Sequence, residues 1–282
     1  MALTVNTNLF ALNAQRNVNK VQSTLGTSVE RLSSGLRVNS AKDDAAGLAI
    51  SMKLTAQVRS LNQAIRNAQD GISVVQTAEG GMNEIHNILT RMRELAQQAS
   101  TGTLATSDRT ALNNEFADLK SEITRISDTT EFNGLSLLDG TLSANGVSLQ
   151  VGINNTANDR ITVSGGTFND IDASSIGLTT TNVSSIDTAA NAQSMLTIVD
   201  SAIAIVSTRR GTLGGVQNRL GSTIANLGIA AENLSSANAR IIDADFASET
   251  ANLTKSQIIL QAGIAVLGQA NVLPQYALQL LR

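Results

Sequence analysis

Between Val199 and Ile241 every seventh residue is a large aliphatic: Val199, Val206, Leu213, Leu220, Leu227, Leu234 and Ile241. A period of seven places one continuous seam along an α-helix, and such a seam must be buried against other helices. At 1.5 Å per residue the stretch would run about 60 Å. One position later lie Ser207, Gly214, Gly221, Gly228 and Ser235. Glycine costs about 1 kcal/mol against alanine inside a helix, so this series predicts a neighbouring backbone close along the flank. A long helix with an apolar seam and a bare flank is a building element rather than a catalytic scaffold.

The rest of the composition narrows the class. The chain has 282 residues, 42% of them hydrophobic and 15% charged, enough to bury a sizeable core. A net charge of −3 gives no general attraction to nucleic acid, and 2% aromatic content leaves no stacking platform for bases. With no cysteine and a single histidine, disulfides and thiolate metal sites are excluded, and a zinc or histidine-based catalytic site is not expected. We therefore expect no cofactor and no enzymatic activity. Residues 1–8 lack the basic region and apolar run of a secretory signal peptide. No run reaches the ~20 apolar residues of a membrane helix, so membrane insertion is not expected either.

Periodicity along the chain predicts a mainly α protein. It would be a long antiparallel, coiled-coil-like helical rod with a small β-hairpin region and paired terminal helices. About residues 5–36 form an amphipathic helix on Ala11, Val18, Leu25 and Leu32, ended by Ser33-Ser34-Gly35, and Ser40 with Asp43 resembles a capping box. A second helix of roughly 50 residues carries Leu54, Val58, Leu61, Ile65, Ala68, Ile72 and Val75, continues through Met82, Leu89 and Ala96, and ends near Gly102. A third, capped by Ser107, shows Leu112, Phe116, Leu119, Ile123 and Ile126 on one face and closes at Phe132-Asn133-Gly134. Residues 148–164 alternate as a hairpin with a longer loop. Gly165 to Ser185, rich in Thr, Ser, Asn and Gly, reads as a surface loop or short irregular strands. Asp187 then caps the long helix, and a last helix carries Phe246, Leu253, Leu260 and Leu267, with Pro274 kinking or ending it. This divides the chain into a terminal two-helix domain, 1–42 with 243–282, and a rod domain, 43–242, with a short variable loop at 165–186.

Two patterns admit more than one reading. Glu79 and His86 interrupt the second helix's seam. Either the seam rotates onto Ile85 and Ile88 and leaves both exposed, or they form a polar layer with Arg209 or Arg210 of the long helix. Arg91, Arg93 and Glu94 read as a solvated face with pairing between Arg91 and Glu94. Gly211 to Gly215 lies inside a helical pattern and follows no strand, which excludes a phosphate loop. Asn-x-Ser/Thr matches such as Asn154 and Asn182 are expected by chance in a chain of this composition.

Taken together, several runs are specific to one family. They are Met1 to Phe10 with Ala14-Gln15, Arg31 to Ser51, Phe132 to Gly134, Leu213 to Leu220, and Asn238 to Ala247. Leu253 to Ile258, Gln269 to Asn271, Pro274-Gln275 and Leu280 to Arg282 complete the set. With these the chain resembles bacterial flagellin from end to end, in a short form in which only about 165–186 stands where most members carry large outer domains. The resemblance implies a structural subunit, secreted and extracellular, that self-assembles into the flagellar filament for motility. The alternative is a hook–filament junction (hook-associated) protein, which shares both termini. The resemblance also implies unfolded export through the flagellar type III apparatus, an export chaperone on the C-terminal helix, and hook-associated and cap proteins as partners.

On this reading Val18, Leu25, Leu32, Phe246, Leu253, Leu260 and Leu267 would drive self-assembly. Leu54, Leu61, Val75, Leu213, Leu220 and Leu227 would form the core seam. Arg91 and Leu95, with Glu115 on the neighbouring helix, match the face contacted between subunits and by the vertebrate flagellin-sensing Toll-like receptor, with Thr90 departing from the best-recognised members. Ser and Thr between 165 and 185 would be candidates for O-linked sugars, as in the outer regions of some members.

Overall fold

The computed structural model describes residues 7–168, 170–179 and 184–279. Asn182 and the terminal matches at 1–6 and 280–282 lie outside the described residues. Among the described residues five α-helices carry the fold: α1 (Leu9–Ser34), α2 (Ala45–Ala99), α3 (Thr106–Thr129), α4 (Ala189–Ile242) and α5 (Phe246–Gln279). The same residues hold four short strands in two antiparallel pairs, β1 (Glu131–Phe132) with β2 (Leu135–Ser136) and β3 (Val147–Gln150) with β4 (Arg160–Val163). This is the mainly α architecture of long paired helices that the seams predict. The chain forms two compact units, 1–58 with 232–282, and 59–231, whose boundaries fall inside α2 and α4.

Within the unit 59–231, α2 and α4 run antiparallel. Arg93 Nε donates to Asp200 Oδ1 at 2.6 Å, and Gln217 Nε2 donates to Glu79 Oε2 at 3.0 Å. Their facing seams fill the core: Val75, Met82, Leu89 and Ala96 from α2 meet Val199, Val206, Leu213 and Leu220 from α4, with Phe116 and Ile123 of α3 alongside. Leu61, Val75, Leu213 and Leu220 are buried, while Leu227 is half-buried beyond the end of this cluster and Leu54 is half-buried in the other unit. By length and composition α4 is apolar enough to cross a membrane, contrary to the sequence expectation. Its seam of Val199, Val206, Leu213 and Leu220 is nevertheless fully buried in the protein core, as a core helix requires.

The interruption at Glu79 resolves between the two sequence readings. The seam turns onto Ile85, which is fully buried, and Ile88, which packs on the core. Glu79 and Arg210 are half-exposed with 3.9 Å between them, and Gln217 completes the carboxylate's contacts. At that exposure the pair contributes at most about 1 kcal/mol. Arg209 instead donates to Asp170 O at 3.0 Å.

The glycine series of α4 behaves differently from its expectation. A Cβ built at Gly214, Gly221 or Gly228 would meet nothing within 4 Å, so no backbone among the described residues closes on that flank. In this unit the helical glycines that permit close approach sit on α2, where a Cβ at Gly71 would strike Leu149 and one at Gly81 would strike Thr130 and Leu138. Gly221→Ala is therefore expected to stabilise the free chain by about 0.5–1 kcal/mol, from helix propensity and lost unfolded-state freedom. Denaturant titration of the monomer checks this; a lower midpoint would mean the flank is occupied.

A larger correction concerns the expected loop at 165–186. Phe168, Ile171, Ile176, Leu178 and Ile186 are buried and belong to the main core. The segment is pinned by Ile171 N donating to Leu138 O at 3.0 Å and Ile186 N donating to Asn113 Oδ1 at 2.9 Å. Its apolar residues are few and irregularly spaced, so no period betrays them, yet each covers core that α2, α3 and α4 leave open. Among the expected sugar acceptors Thr167 is buried, whereas Ser174, Ser175, Thr179 and Ser184 are exposed.

Helix ends also depart in detail. Asp44, rather than the Ser40–Asp43 pair, caps α2, its Oδ1 accepting from Gly47 N at 2.8 Å. Ser40 and Asp43 close the preceding turn instead, and the hydrogen bond from Ser40 N holds the Asp43 carboxyl below the usual range. The end of α2 is closed by Arg109 of α3, which donates to Ala99 O and Thr101 O at 3.0 and 2.6 Å, and Gly102 lies beyond it. Ser107 lies inside α3 and Ala105 is at its cap. Thr188 caps α4, accepting from Asn191 N at 3.2 Å, while Asp187 braces the turn through Ser185 and Asn191. Asn133 and Gly134, with φ of 52° and 77°, make the tight turn of the β1–β2 hairpin, which Asn-Gly favours. Finally, α5 passes through Pro274 and continues to Gln279 instead of ending there.

Candidate assembly interface

In the unit formed by 1–58 and 232–282, α1 and α5 pack antiparallel along their length. Asn8 Nδ2 donates to Ala270 O at 2.7 Å, Val18 lies against Gly263, and Arg31 pairs with Glu249 at 3.8 Å. Asn8 Oδ1 caps α1 by accepting from Ala11 N at 3.1 Å, and Gly35 ends it in the left-handed conformation, with φ of 73°. Asp245 caps α5, its Oδ1 accepting from Ala247 N and Ser248 N.

The chain segments that flank this pair are clipped together. Arg37 N donates to Ile242 O at 2.6 Å and Ala244 N to Gly35 O at 2.9 Å. The Arg37 guanidinium donates to Ile241 O at 2.6 Å and to Arg240 O at 3.3 Å, occupying the carbonyls that α4 leaves open at its end. The sequence gives no periodic signal for this clip, because it joins two linkers about 200 residues apart. That separation is why pattern reading missed Arg37.

The seam between α1 and α5 is narrow. Val18, Leu25, Leu32, Leu253, Leu260 and Leu267 are all half-buried, and Phe246 is 56% exposed. Next to the seam the interior turns polar: Ser28, Glu249 and Ser256 are buried, and Arg31 Nε is buried without an acceptor among the described residues. A groove of about 660 Å³ follows this strip, lined by Val21, Thr24 and Arg31 from α1 and Asn252, Lys255 and Ile259 from α5 among others. The outer faces carry what the pair cannot cover: Leu9, Phe10, Leu12 and Val29 on α1, and Ile258, Ile259, Ile264 and Val266 on α5. Ile258 is 61% exposed and Leu9 62%. Scattered exposed aliphatics are ordinary, but several in succession along two paired helices form an unpartnered surface.

The comparison with known proteins identifies the family. Residues 5–143 match the bacterial flagellin N-terminal helical region, and residues 196–281 match the C-terminal helical region. A flagellin of Halalkalibacterium halodurans is 48% identical over 287 residues, covering 99% of each chain. A flagellin of Bacillus subtilis is 43% identical over 305 residues, again covering 99% of each. A crystal structure of Bacillus cereus flagellin shares 34% identity, covers 57% of this chain and 88% of its own, and superposes with a TM-score of 0.49. The chain belongs to the bacterial flagellin family. It is accordingly a structural subunit that self-assembles into the flagellar filament, and these relatives give no support to the junction-protein alternative.

In this flagellin the second surface singled out by sequence lies in the other unit. Arg91 is exposed and forked between two carboxylates: Nε and Nη2 donate to Glu115 Oε1 at 2.9 and 2.8 Å, and Nη1 donates to Glu94 Oε2 at 3.1 Å. Those bonds, the one to Glu115 foremost, favour the charged guanidinium. Leu95 does not join them at the surface. It is 1% exposed and packs into the core below, so Arg91 and Leu95 leave α2 on different sides while Glu115 reaches Arg91 from α3.

Proposed function

We propose that this flagellin polymerises through its terminal helix pair, residues 1–42 with 243–282. Val18, Leu25, Leu32, Phe246, Leu253, Leu260 and Leu267 form the stripe around which copies pack, and the 43–242 segment is the preformed body that carries them. The observation that supports this reading is the exposed aliphatic surface left on both helices after they have covered each other. Burying one such side chain contributes roughly 1.5–3 kcal/mol, so packing many copies side by side supplies what a lone pair lacks. The filament so built is extracellular. Its subunits leave through the flagellar type III export apparatus with a chaperone on α5, and assemble against hook-associated and cap proteins. The role is structural, without catalysis.

Fixing each residue costs about 1–2 kcal/mol of backbone entropy, which a narrow, partly polar seam recovers poorly. Both terminal segments are therefore expected to exchange amide protons rapidly in the free chain and slowly after polymerisation, with Leu61 to Ala96 protected in both states. Equal protection of the ends in monomer and polymer would remove the coupling of folding to assembly.

The Arg91–Glu115 face serves a second role, as the contact for the vertebrate flagellin-sensing receptor and between subunits. Leu95 contributes from beneath by holding that turn of α2. Arg91→Ala should weaken receptor activation on reporter cells about tenfold, as expected for an arginine anchor. Stability should be little changed, because the ion pairs it breaks are exposed. A wild-type chain that is silent where a recognised flagellin is active would refute the assignment and point to Thr90.

A further inference from the structure

The proline within α5 and the capping of α1 meet at one side chain. A helical carbonyl accepts from the N–H four residues on, so the partner of Ala270 O should be the N–H of residue 274. Residue 274 is proline and has no N–H. Ala270 is itself buried, at 5% exposure, so water offers this carbonyl little relief, and an unpaired buried acceptor is costly. The donor that reaches it is Asn8 Nδ2, at 2.7 Å and across 262 residues of chain. The other end of the same amide, Oδ1, accepts from Ala11 N at 3.1 Å and caps α1.

We infer that Asn8 is a positioning residue for assembly. Its one amide both starts α1 and supplies the hydrogen bond that Pro274 removes from α5. The proline makes the carbonyl available, and the asparagine amide, with its acceptor and its donor on separate atoms, spans both helices at once. Serine and aspartate cap helices as well as asparagine does, but neither places an amide donor on the second helix. The consequence is alignment. The seams of α1 and α5 each repeat every seventh residue, so sliding one helix by seven would match aliphatics again. It would not bring Asn8 back to the freed carbonyl, nor Arg31 to Glu249. Asn8 with Pro274 thus marks the far end of the pair, as Arg37 marks the near end.

This inference rests on the terminal pair being the assembly device, and a double-mutant cycle separates the two. Full-length wild type, Asn8→Ser, Pro274→Ala and the double variant are polymerised, and the critical concentration of each is measured. A chain lacking residues 1–34 is run beside them. Asn8→Ser keeps the cap and is expected to raise the critical concentration about tenfold in the wild-type background. In the Pro274→Ala background the helix supplies its own N–H to Ala270 O, and the same substitution should change the value less than about twofold. An equal penalty in both backgrounds, or none in either, overturns the interlock while leaving the assembly reading intact. Normal polymerisation of the chain lacking 1–34 overturns the assembly reading itself.

Discussion

A chain lacking residues 246–282 should remain folded over its 59–231 unit and form no filament at concentrations where the full chain polymerises completely. The buried core of that unit contains no residue from α1 or α5, so removing either helix leaves it whole. What disappears is Ile258, Ile259, Ile264 and Val266, together with the partner that holds α1 in a helical pair. Losing the burial of even two such side chains raises a critical concentration by more than about 100-fold. Circular dichroism with sedimentation distinguishes the outcomes. A truncated chain that sediments as filaments of ordinary stability would show that the polymer is held elsewhere.

Phe168→Ala should destabilise the free chain by about 3–5 kcal/mol, the usual cost of deleting a fully buried phenylalanine ring. The ring is 0% exposed and lies in the same cluster as Val163, Ile171 and Val206. This is a severe effect for a residue in a segment that, by composition, passes for surface decoration. Denaturant titration reads it directly. A loss below about 1 kcal/mol would make 165–186 a loop that merely lies on the body, and substitution of Ile171 or Leu178 would then be equally mild.

Much of this was legible without coordinates because helices report themselves through period. The seven-residue series on α4 ran straight into the core from Val199 to Leu220, and the sequence placed α1, α2, α3 and α5 within a few residues of their observed bounds. The β3–β4 hairpin was equally plain, since alternation over two short runs flanking a polar loop has few other meanings. The family followed from the runs at Arg31 to Ser51, Leu213 to Leu220 and Asn238 to Ala247, and with it the function.

What failed were inferences about who lies opposite. The open glycines of α4 and the crowded ones of α2 look alike in sequence, because a glycine says that a side chain is absent and not what fills the space. Leu95 sits four residues from Arg91 and so shares its side of the helix in projection, yet a few tens of degrees of rotation send one into the core and the other into solvent. Caps moved for the same reason: the Ser40–Asp43 pair gave way to Asp44, and Asp187 to Thr188, because the backbone path selects among nearby acceptors.

By itself, then, the sequence determined the helices, their apolar stripes and the family, all of which are encoded in short-range spacing. Only the tertiary structure decided that Phe168, Ile171, Ile176, Leu178 and Ile186 are core, that Arg37 closes α4, that Arg109 closes α2, and that Asn8 serves the carbonyl freed by Pro274. The Arg37 and Asn8 bonds join residues more than 200 apart in the chain, each through a side chain outside any repeat. A lone contact has no period to read, and its partner is chosen by which groups the packed helices leave buried and unsatisfied.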